Sequence, residues 1–442
     1  MKTKNEKKTI NAWCMYDWAN SVYSLVISST IFPVYYNSAT NSAFGSDRVD
    51  FFGFNITNSV LYSYSLSFAF LIIAILSPLL SGIADYGGRR KFFMKFFTYL
   101  GGLSCIGLYW FNGANVELGI TLSVLACIGF AGGLVFYNAF LPVIATPEKY
   151  DIVSAKGYSL GYIGSVILLI FNLVTITFPD LFGFQAEVGA VKLSFILVGT
   201  WWIGFAQIPF YILPSNKRSG IDYSNIIKRG YQEIIQVWKS ARQNKMLKRF
   251  LLSFFFYSTG VQTVMYLAAL FGDKELNMPG NKLILTILII QIVAVGGSYL
   301  FARLSERKGN IFSLSIMVFI WIIICLYAYF VTNEFEFYFL ATVVGLVMGG
   351  IQSLSRATYS KLIPSDTIDQ TSYFSFYDVL EKVAIVLGTF SYAFIEQLTG
   401  SMRNSAVTLG LFFLVGIAFL RLVKIPEEPF RFGNDQASST SE

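Results

Sequence analysis

Histidine is absent from the 442 residues, and charged residues make up only 13% of them. The first absence removes Ser-His-Asp and Cys-His catalysis, imidazole metal ligands and imidazole proton relays together. The second excludes a large water-soluble domain, because such a surface needs about a quarter of its residues charged. Cysteine is scarce as well. Cys14, Cys105, Cys127 and Cys325 lie in apolar stretches and form no C-x-x-C, so neither a disulfide frame nor a thiolate metal site is indicated. No phosphate-cradling G-x-x-x-x-G-K segment occurs, which leaves ATP-driven work unsupported. Neither cofactor, metal nor enzyme activity is therefore expected. What the chain has is apolar mass, 55% of its residues. At roughly 20 apolar residues per crossing, that suffices for about twelve membrane-spanning helices.

Runs long enough to cross a bilayer fall at 12–36, 59–81, 92–111, 117–141, 157–178 and 191–213. Six more follow at 249–271, 281–302, 311–331, 337–363, 373–396 and 404–422. An even number returns both termini to one face, and the net charge of +7 says which. With Arg356 and Lys361, near the end of the tenth run, counted on the side of the termini, 26 of the 33 lysines and arginines lie there. Arg48, Lys274, Lys282 and Arg403 lie opposite, while Lys95, Lys192 and Lys382 fall within runs or at their ends. Basic segments resist translocation, so both termini are expected in the cytoplasm. The positive surplus is thus a topology signal, which leaves nucleic-acid binding nothing to explain. Met1 to Lys8 is polar and the first run is of full length, so the first helix is expected to insert the chain without a cleaved signal.

These positions divide the chain into a six-helix bundle over 1–213, a basic linker over 214–248, a second bundle over 249–424 and a tail over 425–442. The tail is polar, rich in Ser and Thr, and expected to be disordered. Within the linker, Ile226, Ile227, Tyr231, Ile234, Ile235 and Trp238 recur at helical spacing. That pattern predicts an amphipathic helix on the inner membrane surface.

The loop after the second run, Ser81-Gly-Ile-Ala-Asp85-Tyr-Gly-Gly88-Arg89-Arg90-Lys91, has a counterpart after the eighth, Ala302-Arg-Leu-Ser-Glu306-Arg307-Lys-Gly309. Each sets an acid, a two-residue gap and a glycine among bases. The acid suits a helix N-terminus and the glycine a turn with positive φ. The first segment resembles the loop signature of the major facilitator superfamily, departing from it at Ser81 and Tyr86. Tyr16-Asp17-Trp18-Ala19-Asn20-Ser21, Phe136-Tyr137-Asn138-Ala139-Phe140-Leu141-Pro142 and Gly157 with Gly161-Tyr162 are similar to the vacuolar effluxer-like branch of that superfamily. So are Tyr257 with Gly260-Val261-Gln262-Thr263, and Gly349-Gly350-Ile351-Gln352 with Ser355-Arg356. An acid that the resemblance leads one to expect near Ser258-Thr259 is missing.

The resemblance implies an all-α membrane protein with twelve transmembrane helices in two pseudo-symmetric six-helix bundles. The bundles rock about a central cavity lined by the first, fourth, seventh and tenth helices. Fungal members of the branch export amino acids from the vacuole lumen, which makes amino acids the leading solute. A bacterial plasma membrane is the implied location, or the vacuolar membrane in a eukaryote. Gly157-Tyr-Ser159-Leu-Gly161 fits the G-x-S-x-G pattern of a nucleophile elbow literally, but without histidine or a preceding strand it reads as close helix packing.

A charge within an apolar run costs a few kcal/mol or more, so those present should face a cavity or a partner. They are Asp17, Lys95, Arg356, Asp378, Glu381 and Lys382, with Glu396 near an outer end. At 1.5 Å per residue, Asp17, Arg356 and Asp378 sit roughly 7 to 11 Å from the inner ends of their helices. Together with Glu381 or Lys382 they predict an ion-paired cytoplasmic gate that closes when the cavity faces outward. The same carboxylates are the candidates for proton coupling. Asp378 and Lys382, four apart on one helix, can instead neutralise each other. Asp85, Gly88, Arg89 and Arg90 form the candidate conformational loop.

For the solute, Asn20, Ser21, Tyr137, Asn138, Gln262, Gln352 and Ser355 offer donors and acceptors, joined by Thr263, with Trp18 and Tyr257 as apolar walls. A carboxylate would meet Arg356 or amide donors, and an ammonium would meet Asp17. Bonds between helices are the competing use of these groups. The expected activity is secondary active or facilitative transport of a small polar solute, amino acids first. A proton-coupled exporter of drugs or other metabolites and a non-transporting receptor or scaffold are the alternatives. The partners expected are the solute, protons where transport is coupled, and membrane lipid, with the chain acting as a monomer.

Overall fold

The computed structural model describes residues 4–215, 226–364, 367 and 369–425. The tail expected over 425–442 lies, apart from Ile425, outside the described residues. Helix α1 (Lys7–Val22) passes through a π-helical stretch, Tyr23–Ile31, into α2 (Phe32–Phe44). The sequence explains that wider turn. Ser29 and Thr30 donate their hydroxyls to the carbonyls of Ser24 and Leu25, five residues back, at 2.9 and 2.7 Å. Pro33 brings no N–H, and the Ser28 carbonyl accepts from the Tyr62 hydroxyl at 3.4 Å. A short hairpin follows, β1 (Arg48–Phe51) antiparallel to β2 (Phe54–Thr57), which the apolar pattern does not foretell.

The rest of the first half is α3 (Asn58–Tyr86), α4 (Arg90–Gly107), α5 (Val116–Asn138), the single turn α6 (Leu141–Ile144), α7 (Tyr150–Thr177) and α8 (Glu187–Ile212). After the linker helix α9 (Ile226–Gln243) come α10 (Lys245–Leu276), α11 (Gly280–Lys308), α12 (Asn310–Ala328), α13 (Glu334–Leu362), α14 (Gln370–Thr399) and α15 (Met402–Leu420). Ten of these helices are long and apolar enough to cross a membrane. The interrupted α1–α2 rod and the charged α14 make twelve. Several helices outrun the apolar stretches that announce them: α7 begins at Tyr150 instead of 157, and α10 and α14 extend at both ends. Apolar counting trims the polar turns at the basic face, although those turns carry much of the contact between the halves.

Two apolar cores form, one mainly from α1–α8 and one mainly from α9–α15, with Ala357 joining the first and Ala139 and Tyr162 the second. Between them α3 packs on α14, and α7 on α11 and α13. Gly349 shows how closely helices approach within the second half, since a Cβ there would lie 2.1 Å from the Ala294 carbonyl oxygen. Large apolar side chains such as Phe92, Leu103, Leu181, Phe390 and Leu411 cover the outside, as lipid contact requires.

The linker forms a helix, as its periodicity predicts, and part of it packs on protein. Val237 and Ala241 are buried in the second core and α9 packs along α3, whereas Tyr231 and Trp238 are exposed. Ile235 is half-buried, and the side chains of Ile226, Ile227 and Ile234 lie outside the described residues. Trp238 stands 5.3 Å from the Phe376 ring, and the hydroxyls of Tyr373 and Ser240 are 3.1 Å apart, so protein competes with lipid for this helix.

Candidate functional site

A buried ion pair between α1 and α13 links the halves. Asp17 Oδ2 lies 3.4 Å from both terminal nitrogens of Arg356, with the two residues 4% and 1% exposed. Tyr137 donates its hydroxyl to the same carboxylate oxygen at 2.6 Å. Arg356 also donates to the Ser154 hydroxyl and carbonyl, each at 2.9 Å, and to Asn138 Oδ1 at 3.2 Å. Its guanidinium stacks over Tyr158 and Trp13, 4.2 and 4.7 Å from their ring centroids. With its donors thus engaged, Arg356 is a clamp for α1, α5 and α7 rather than an open anion receptor. Gly157 makes the geometry possible, because a Cβ there would stand 2.5 Å from Asp17 Oδ2.

Two further latches close the basic face. In the first, Asp85 pairs with Arg90 at 3.0 Å across the turn that Gly88 makes at φ +60°. Asp85 also accepts the main-chain N–H of Ser372 at 2.8 Å, and Arg90 donates to Thr371 Oγ1 at 2.6 Å and to the Ala139 carbonyl at 3.1 Å. Arg89 is exposed on the same turn. In the second, Asp151 at the start of α7 accepts from Ser305, Asn310 and Lys361 at 2.9, 2.8 and 2.8 Å. Glu306, the sequence counterpart of Asp85, is exposed. The repeat therefore marks the right loop but the wrong acid, because the carboxylate comes from the facing helix.

Beyond the Asp17–Arg356 pair lies a cavity of about 170 Å³ between the halves. It shares Ser24, Met265, Tyr266, Gln291 and Met348 with a second space of about 310 Å³ nearer the opposite face. Asn20, Ser21, Asn138, Gln262 and Gln352 line the cavity, with Asp17, Arg356, Asp378, Glu381 and Lys382. Tyr137, Tyr257 and Ser355 do not: Tyr137 serves Asp17, and the hydroxyls of Tyr257 and Ser355 bond each other at 2.7 Å. Thr263 bonds the Thr259 carbonyl of its own helix, and Trp18 stacks on Trp201 instead of walling the cavity. Sequence reasoning missed Tyr158, Tyr162 and Ser165, which recur at helical spacing along α7 and line the cavity. Tyr162 donates its hydroxyl to Gln352 Oε1 across the two halves.

The predicted single layer of charge is in fact two clusters. Lys382 Nζ lies 3.1 Å from both Asp378 Oδ1 and Glu381 Oε2, and Gln262 donates to Glu381 Oε1 at 2.9 Å. Asp17 and Asp378 stand further from their helix starts than apolar counting suggests, because α1 begins at Lys7 and α14 at Gln370. Asp378 turns to the lysine one turn away on its own helix, and Arg356 to α1 and α7.

A polar cavity between two six-helix halves, closed by ion pairs at one end, is the layout of a major facilitator transporter. The family described as "Vacuole effluxer Atg22 like" matches residues 5–428. The chain belongs to that family. Among curated relatives, the Bacillus subtilis "Uncharacterized MFS-type transporter YxiO" is 34% identical over 429 residues, covering 96% of each chain. Autophagy-related protein 22 of Saccharomyces cerevisiae is 24% identical over 83% of this chain and 78% of its own. Among solved structures, the human organic anion transporter MFSD10 superposes with a TM-score of 0.71 at 11% identity, over 95% of this chain and 100% of that one. FucP of Escherichia coli, in the outward conformation, gives 0.67 at 16% identity, over 93% and 98%. This member of the Atg22-like family is a membrane transporter of major facilitator type and not an enzyme.

Proposed function

We propose that the protein moves amino acids across a membrane by alternating access. The observation that carries this reading is the polar cavity itself, which both halves line, which is sealed at the basic face and which continues toward the other. Amide donors and acceptors on Asn20, Asn138, Gln262 and Gln352, beside ion-paired side chains, suit a zwitterion. In the cycle we infer, a solute enters from the face opposite the termini. Its binding then favours closure on that side, and the Asp17–Arg356 pair and both latches part as the basic face opens. The positive-residue bias supports a cytoplasmic position for that face.

Purified protein in proteoliposomes, given each of the radiolabelled protein amino acids, is the test. Saturable uptake that Asn138→Ala and Gln352→Ala both depress, with folding intact, is the expected result. If none of the amino acids exchanges while sugars, nucleosides or drugs stabilise the protein thermally, the solute class is wrong.

A further inference from the structure

Five side chains that carry full charge line the central cavity: Asp17, Asp378 and Glu381 against Arg356 and Lys382. Arg356 answers Asp17, and Lys382 bridges two carboxylates while neutralising one. One negative charge is left over in a space walled from bulk water on its basic side. A charge so placed is costly without a counter-charge. Partnerless acceptors in the cavity suit one: among the described residues, the buried Asp378 Oδ2 and the buried Asn20 Oδ1 have no hydrogen-bond partner, and both residues line the cavity.

We propose that Asp378, Glu381 and Lys382 form a single-cation site that takes one hydrogen-bond-donating positive charge, a proton or the ammonium group of a solute, while the Asp17–Arg356 pair takes none. The ammonium half of this proposal rests on the transport reading above; the proton half does not. The groups facing the cluster leave the charge tally unaltered. Tyr377 neighbours it on α14, Tyr257 and Tyr266 on α10, Tyr158 and Tyr162 on α7, and Cys127 on α5. These phenols and the thiol ordinarily carry no charge near neutral pH. The α3 helix offers the Phe70 ring, 5.8 Å from Lys382 Nζ. Asp17 on α1 and Arg356 on α13 cancel.

Charge counting supplies the test. Infrared difference spectra of the solute-free protein between about pH 5 and about pH 8, a window that spans a perturbed carboxyl, are expected to show one titrating carboxyl in the wild type. Glu381→Gln, which balances the charges, should lack it, and Asp378→Asn should match that result. Glu381→Gln combined with Lys382→Gln restores the excess negative charge and should regain the band. The second arm uses butylamine and L-leucine as probes, read by thermal stabilisation. Amine binding that strengthens about tenfold per pH unit as the proton leaves, and that Glu381→Gln weakens about as much, assigns the ammonium as an occupant. Binding that ignores pH, with the band present, assigns the proton alone. A band unchanged in Glu381→Gln, absent throughout, or not regained in the double variant overturns the site. Failure of every amino acid to be transported would sink the solute assignment and leave the carboxyl band to decide this one.

Discussion

The two latches at the basic face occupy equivalent places in the two halves, yet they are built with opposite polarity. In the first, the acid and the base sit on the α3–α4 turn and grip the first turn of α14, where Asp85 takes a main-chain N–H. In the second, the acid sits on the first turn of α7, and the α11–α12 turn answers with the side chains of Ser305 and Asn310, joined by Lys361 from α13. The first exploits the positive end of a helix dipole and a donor that few substitutions remove. The second depends entirely on side chains, and its lysine is 15% exposed. Pseudo-symmetry thus repeats where the halves touch without repeating which groups touch.

Breaking each latch separately sharpens that contrast. Accessibility is best read from a cysteine at position 360, a buried serine between latch and clamp whose hydroxyl bonds the Arg356 carbonyl, because the native cysteines are buried and should label slowly. Asp85→Asn is expected to have the largest effect, since it strands Arg90, which is 1% exposed, at a cost of about 3 to 5 kcal/mol. Labelling of S360C from the basic face should rise steeply, and the melting temperature should fall. Asp151→Asn should cost about 2 kcal/mol, because Asn retains an acceptor and Lys361 can reach water. Ser372→Pro, in the first turn of α14 where proline is best tolerated, removes the main-chain donor and should cost about 1 kcal/mol, with a correspondingly smaller rise in labelling. Ser372→Ala should stay within about 0.5 kcal/mol, because the Ser372 hydroxyl has no partner among the described residues. Equal effects of the two substitutions at 372 would show that the latch does not run through the backbone.

The twelve crossings were legible because lipid demands long apolar runs, and the Asp17–Arg356 pair because charge within such runs is rare. Helical rotation is where legibility ended. Counting residues gives depth only from helix ends, and the ends of α1 and α14 lie further out than their apolar runs. Which way Asp378 turns depends on the packing of α14 against its neighbours, and no count supplies that. Tyr158 and Tyr162 stayed hidden for a related reason: a tyrosine in an apolar helix reads as core until the facing helix is known to carry Gln352. The π-helical stretch was invisible because Ser29 and Thr30 bond equally well four residues back in an ordinary helix. Asp151 fell outside its predicted helix, since the apolar run begins only at 157.

Gly157 sets how far this sequence can drift. The clamp at its centre uses an acid, a guanidinium, a phenol and two hydroxyl or amide partners, each of which has a chemical cousin that evolution could try. The hydrogen at position 157 has none, because the smallest side chain would occupy the volume of the carboxylate oxygen. The least chemically expressive residue of the site is therefore the one with the fewest permitted replacements, and variation around the clamp has to be organised about a space that stays empty.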